Sequence, residues 1–500
     1  MSKQARSPGR GAQWNCNRLQ LHFDEAAGDD QDVAEKDGTL PMMMTSIPIN
    51  ANVLDSDQLL FGVEDHIPDD PAFLSVSRIS DAYSLLANED ITVVQSLDSG
   101  VVEANSTDLE TATESSSSSP LPDSDFHKKH MMAISSDKFD SLLKMCPHFL
   151  GCKSHMAAFV LVRELTDTSG RACKFYQVVA LGTSRFSRTS WLCCNGTVVH
   201  DCHAMITARR ALQRFLYKQL LLFFGTDPQA KEACIFESSA AGPQLQLKPN
   251  TSLHLYTNQC PEGAAKNFYM WCSAYNNWTP LELHYHTKNL LVPAAHLNPN
   301  HWVANVCCIS DSVKLHLWTI VGVQGALLSH FIQPLYIASM VLGGQKLYVD
   351  QLSDTSKCLG DGWEDILPPF YKKYDISFLC CEEATPIEVS PQHDVLSINW
   401  CFGDKDIEVV DSSKGFIDHS SSSMSGPSFS SRLCKRALYS YFRQVAQLGG
   451  YGYLRDLPTY HSVKVEASVY QTVKELVKQH FLSNHGGTWN AKKLVDFFST

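Results

Sequence analysis

The sequence lacks any long uninterrupted apolar run. Its longest, near Leu212–Phe224, is broken by Gln213, Arg214, Lys218 and Gln219, so it is too short and too polar to span a bilayer. The opening Met1-Ser2-Lys3-Gln4-Ala5-Arg6 leads into no apolar segment of the signal-peptide kind. No membrane role is expected, and the protein is placed in the nucleus, the cytoplasm or both. Cysteine is plentiful, with 17 in 500 residues, but the repeated C-x-x-C pairs of a structural zinc module are missing. The adjacent pairs Cys193-Cys194, Cys307-Cys308 and Cys380-Cys381 are instead expected to be buried free thiols in a reducing compartment.

Positive charge is scarce at one end. Residues 1–130 hold 8 Lys and Arg against 23 Asp and Glu, a net −15, whereas the other 370 residues hold 33 against 30. The overall net charge of −12 therefore describes an acidic tail on a nearly neutral body. Clusters such as Asp29-Asp30-Gln31-Asp32 and the run Glu114–Pro120 bury too little apolar surface to offset chain entropy. We expect residues 1–132 to be a disordered acidic region and residues 133–500 to be folded. The apolar islands Leu59–Val63 and Ala82–Leu86 are candidate docking segments for protein partners. The tail shows no basic Ala/Lys-rich helix of the sort that binds double-stranded RNA.

Beyond the tail, runs of strand and helix character alternate. Ala157–Val162 and Phe175–Leu181 read as buried strands, with a short helix expected at Lys138–Cys146 before them. A long amphipathic helix is expected at 202–224, stopped by Gly225. Further strands are expected at Leu253–Tyr256, Val303–Ile309 and near 335–342, 395–402 and 406–411, with helices at Ser312–Ile320, 432–448 and 465–483. Strands alternating with long helices imply a layered α/β domain.

The stretch His200-Asp201-Cys202-His203-Ala204-Met205, followed by Arg209-Arg210, resembles the zinc-site helix of the RNA-editing adenosine deaminases. The likeness continues through Leu181-Gly182-Thr183, Leu253–Tyr256, Val321–Gly325, Ile398-Asn399-Trp400 with Gly403-Asp404, and Ser431–Lys435 to Tyr460-His461, Tyr470-Gln471 and Trp489. It covers about 133–500. The resemblance implies a three-layer, cytidine-deaminase-like core with the editors' C-terminal helical extension. In that family one His and two Cys hold zinc, and a Glu two positions after the His shuttles protons. Here His203 matches the first ligand, Glu262 and Asp311 stand where the two cysteines would be, and Met205 stands at the shuttle. A thioether neither accepts nor donates a proton at neutral pH, so these four positions are degenerate. Neither a catalytic residue nor a zinc site is expected. A register slip onto Cys260 and Cys308, or a carboxylate-rich metal site, is the alternative.

The same resemblance implies a buried inositol hexakisphosphate as structural cofactor. Its shell maps onto Arg209, Arg210, Lys314, Trp318, Lys435, Tyr460, Lys464, Tyr470, Gln471, Lys474, Trp489 and Lys492, with Leu317 replacing one arginine. Converging like charges are costly inside a domain unless a polyanion meets them. The segment Thr279–Pro293 lacks the acidic-glycine loop that assists base flipping in the editors. A degenerate centre in a retained framework looks most like the adenosine-deaminase-domain-containing subgroup, germ-cell relatives of the editors. That implies a catalytically inactive pseudo-deaminase, an RNA-associated or protein scaffold in RNA processing such as spermatogenesis. The alternative is a residual adenosine-to-inosine deaminase on double-stranded RNA.

Overall fold

The computed structural model describes residues 92–95 and, with breaks of which the longest are 264–281, 383–392 and 419–429, residues 122–499. They belong to one compact unit, Asp69–Thr500. Nine strands form its main sheet: β1 Thr92–Gln95, β2 Met156–Thr166, β3 Ala172–Thr183, β4 Thr251–Thr257, β5 Ile337–Gly343, β6 Ser377–Cys381, β7 Leu396–Cys401, β8 Glu408–Asp411 and β9 Phe416–Ile417. Their order is β6-β5-β4-β2-β3-β7-β8-β9, with β1 paired to the outer part of β3. β5 runs parallel to β4 and β6, and the remaining pairs are antiparallel. β2 lies near the middle, and its residues Met156–Val162 are all buried. A continuous apolar run in a central strand needs cover on both faces.

Two helices supply that cover. On one face lies α1, Pro122–Leu142, where the His127 ring bonds the Tyr176 hydroxyl (3.0 Å) and the Ser339 hydroxyl (2.9 Å). On the other lies α2, Ala204–Phe224, whose backbone passes directly over Gly182. A Cβ at Gly182 would stand 2.3 Å from Ala208 N and 2.7 Å from Ala204 O. The register shows that these faces are opposite. Tyr176 pairs with Val162 and Gly182 with Ala157, and residues five apart in a continuous strand point to opposite sides. The shift between Phe159 and Val160 is what turns β3 over. Helix, mixed sheet and helix make the three-layer, cytidine-deaminase-like α/β core.

Several element bounds differ from those expected. The first helix starts at Pro122 rather than Lys138, so the boundary expected at 132–133 falls inside α1, where Met131 is fully buried. The upstream half of α1 docks through His127, which finds two hydroxyl partners, and His130, whose ring packs edge-on against Tyr176 at 4.6 Å, and hydropathy gives no sign of that. β1 likewise lies within the stretch expected to be disordered. The rest of the expected tail, including Leu59–Val63 and Ala82–Leu86, lies outside the described residues. Of the strand expected over Val303–Ile309, the described residues form strand at Cys308–Ile309.

A small second sheet places Leu290–Pro293 and Cys308–Ile309 on either side of His284–Thr287. From it the chain enters α3, Asp311–Val321. The C-terminal extension contributes α4 Lys435–Leu448, α5 Tyr460–Glu466 and α6 Ser468–Ser483. α4 closes the main core over α2 through Phe442 and Val445, while Val473, Val477 and Phe481 of α6 join Val313, Leu317 and Ile320 of α3 in a second core. The described cysteines are free thiols, mostly buried, although Cys194 is exposed. Among the described residues no helix is long and apolar enough to cross a membrane.

Candidate functional site

The start of α2 meets the start of α3 and the middle of the small sheet. His203 is the residue before the first turn of α2 and is buried. Its Nδ1 donates to Asp201 Oδ1 at 2.7 Å, and the other Asp201 oxygen accepts from Lys314 Nζ. His203, Met205, Glu262 and Asp311, the four degenerate positions of the sequence, all line one cleft. The structure therefore brings the four together in space.

It also brings in a residue the sequence reading missed. The ring of His286 lies over that of His203, with centroids 4.1 Å apart. His286 sits on the central strand of the small sheet, and Glu262 Oε2 is 3.8 Å from its Nδ1. The available signal was the alternation His284-Tyr285-His286 in a strand-like run. Alternation puts both histidines on one face and Tyr285 on the other, where Tyr285 packs edge-on against Trp302 at 5.2 Å. Ligating atoms of His203, His286 and Asp311 lie within 4.8 Å of one another, and neither Cys260 nor Cys308 joins that cluster.

The charges in this pocket are tightly linked. Burial works against ionisation of Asp201, but Lys314 and His203 hold its pKa well below the usual carboxylate range. Burial also opposes the charge on His203, yet Asp201 and Asp311 outweigh it and raise the pKa. Asp311 is pushed up by burial to about 6, against the pull of His203 and Lys314. His286 is held well below its ordinary value by burial and by the neighbouring His203 charge. Lys314, opposed by burial, is kept charged by Asp201 and Asp311.

The family's zinc set does not fit these residues. The positions of both thiolates carry carboxylates, and Cys260 and Cys308 direct their thiols to the carbonyls of Pro261 and His200, at 3.6 and 3.8 Å. What does fit a cation is the two-histidine, one-carboxylate group. His286 Nε2 and Asp311 Oδ1 are buried there without a hydrogen-bond partner.

A second polar cluster lies below the centre. Arg209 donates to the Val323 carbonyl and packs over the Trp318 ring at 5.1 Å, while Arg210 donates to the Leu433 carbonyl. Lys435 and Lys464 converge on Asp496 at 2.7 and 2.5 Å. Lys474 lies within electrostatic reach of Lys464, Asp496 and Arg209, and Tyr460 and Tyr470 interact with Arg209. Burial lowers Lys435 and Lys474 to about 8 and Arg209 to about 10. Two lysines thus pair with Asp496, Lys474 lies within its reach, and Arg209 and Arg210 interact with the same group of lysines and tyrosines, a donor set that fits a polyanion. Gln471 turns its amide to the Lys464 carbonyl at 2.6 Å, and Trp489 packs on Phe481 at 5.7 Å. Lys314 faces the upper centre instead, through Asp201 and Asp311. Lys492 lies outside the described residues.

The fold is that of a deaminase-type α/β domain. The family profile of the adenosine-deaminase (editase) domain matches residues 179–493, and the chain belongs to that family. It is 27% identical over 407 residues to the double-stranded RNA-specific adenosine deaminase of Rattus norvegicus, covering 75% of this chain and 32% of that protein. It is 28% identical over 374 residues to the double-stranded RNA-specific editase B2 of Mus musculus, covering 69% and 47%. The double-stranded RNA-specific editase Adar of Drosophila melanogaster matches at 27% over 329 residues, covering 60% and 45%. The chain spans about a third to a half of the length of these relatives.

Proposed function

We propose that this chain is a catalytically silent member of the editase family, serving RNA processing as an RNA-associated or protein scaffold. The observation that carries the reading is Met205, which lines the cleft beside His203 where the family's chemistry requires a proton shuttle. General acid–base catalysis typically contributes about 10²–10⁴-fold, and no carboxylate within the first turns of α2 replaces the missing group. Glu262 is engaged behind His286, and Asp311 lies beside the Lys314 ammonium at 3.9 Å.

The five-cation cluster supports inositol hexakisphosphate as a structural cofactor. Arg209, Arg210, Lys435, Lys464 and Lys474 would hold it, and it would supply the negative charge that Asp496 alone does not. Retention of the framework with loss of the shuttle supports a place in the germ-cell subgroup, with roles such as spermatogenesis, a nuclear or cytoplasmic address, and protein partners recruited by the acidic N-terminal region. Ultraviolet crosslinking in cells expressing the chain separates the two versions of the scaffold. RNA recovered above background supports the RNA-associated one. Background recovery leaves the protein scaffold, and inosine made by the purified chain contradicts both.

A further inference from the structure

The reaction centre contains two buried acceptors that no hydrogen bond serves among the described residues, although the Lys314 ammonium stands 3.9 Å from the carboxylate one. His286 Nε2 and Asp311 Oδ1 have no hydrogen-bond partner, and leaving such atoms unmet inside a protein costs free energy. They share one point with His203, the three ligating atoms lying within 4.8 Å of one another. Each histidine also has a carboxylate at its other nitrogen. Asp201 Oδ1 is 2.7 Å from His203 Nδ1, and Glu262 Oε2 is 3.8 Å from His286 Nδ1. The Asp201 bond fixes the His203 tautomer that leaves its Nε2 lone pair free for a metal. The charge balance agrees. Asp201 and Asp311 both pair with the Lys314 ammonium, and the Glu262 carboxylate stands behind His286, so carboxylates crowd the point that a divalent cation would occupy.

We infer that His203, His286 and Asp311 bind one divalent first-row transition-metal ion, through the two Nε2 atoms and a carboxylate oxygen. This is not the His-Cys-Cys set implied by the resemblance. Both thiolate positions are lost, and His286 comes from a strand that supplies nothing to that set. The expectation of no metal weighed His203, Glu262 and Asp311, with Cys260 and Cys308 as the alternative, but not His286, which changes the count. Nitrogen and oxygen donors without sulfur relax the preference for zinc and admit iron, cobalt, nickel or manganese. The ligands stand on three separate elements, at the start of α2, on the small sheet and at the start of α3. The ion therefore ties these elements together, and metal binding of this kind is coupled to folding. With Met205 in place of the shuttle the role is structural, so this inference stands or falls separately from the loss of catalysis.

The test uses the full-length chain stripped with a chelator, titrated with zinc chloride, and followed by native mass spectrometry and thermal unfolding. One zinc per chain and a higher Tm are expected. His286→Ala should abolish the bound ion. Asp201→Asn, which keeps all three ligands, should weaken affinity about 10–100-fold and carries the test if His286→Ala does not fold. A Cys260→Ser/Cys308→Ser double variant should bind as the parent does. A parent chain that takes up no zinc, cobalt or manganese overturns the inference. So does an ion that survives His286→Ala and is lost from the cysteine variant.

Discussion

Asp404 shows how much a single residue carries in this fold. Its buried carboxylate accepts from Arg214 and Lys218, each at 2.5 Å, and faces Arg432 at 3.3 Å. Burial opposes its charge, but Arg432, Arg214 and Lys218 outweigh that and hold its pKa below the usual range. A depressed carboxylate stabilises the fold above its unfolded pKa of about 3.9, and that contribution fades only as pH falls toward the folded value. Asp404→Asn keeps the shape and leaves Arg214 and Lys218 buried without their counter-charge. Breaking a buried pair in this way costs about 3–5 kcal/mol, to be read as a lower midpoint in urea unfolding at pH 7. A loss below 1 kcal/mol would mean that water reaches the network. Gly403-Asp404 was legible in the sequence as a family position, but the pairing of Asp404 with Arg214 was not, because 190 residues separate them. His286 was missed for a related reason. Ligand candidates came from matched positions, and a new ligand on a different strand has no matched position.

Among the elements, α2 and the sheet beneath it were the most legible. An amphipathic run ended by Gly225 and two apolar runs separated by a short connection each follow from local pattern. The boundaries of α1 and the small sheet were not legible, because their burial rests on histidines and on contacts far apart in sequence. His127, for instance, bonds Ser339 across 212 positions. Contact between α2 and β3 depends on Gly182, where a Cβ would collide with helix backbone rather than with a side chain that can swing aside. Gly182→Ala should therefore push α2 off the sheet. A loss of about 1–3 kcal/mol is expected, typical of overpacking, with a matching fall in Tm. An unchanged Tm would show that α2 rides higher over β3 than described here.

At the scale of the whole molecule, the cationic cluster makes stability depend on pH and on polyanions. Burial lowers Lys435 and Lys474 from 10.5 to about 8. A base with a depressed folded pKa opposes folding when protonated. Without a polyanion the chain should gain stability as pH rises from about 8 toward 10. Inositol hexakisphosphate should raise Tm most at pH 7 and flatten that slope. A polyanion-free chain with no such slope, gaining nothing from the ligand, would remove the cluster from its cofactor role. An editase fold that persists without its chemistry makes no inosine, which can be measured directly. Duplex RNA incubated with excess full-length chain and added zinc, then digested to nucleosides for mass spectrometry, should contain no more inosine than RNA incubated with heat-denatured chain. Inosine that accumulates with time and disappears in His203→Ala would contradict the account and make the altered centre an active deaminase.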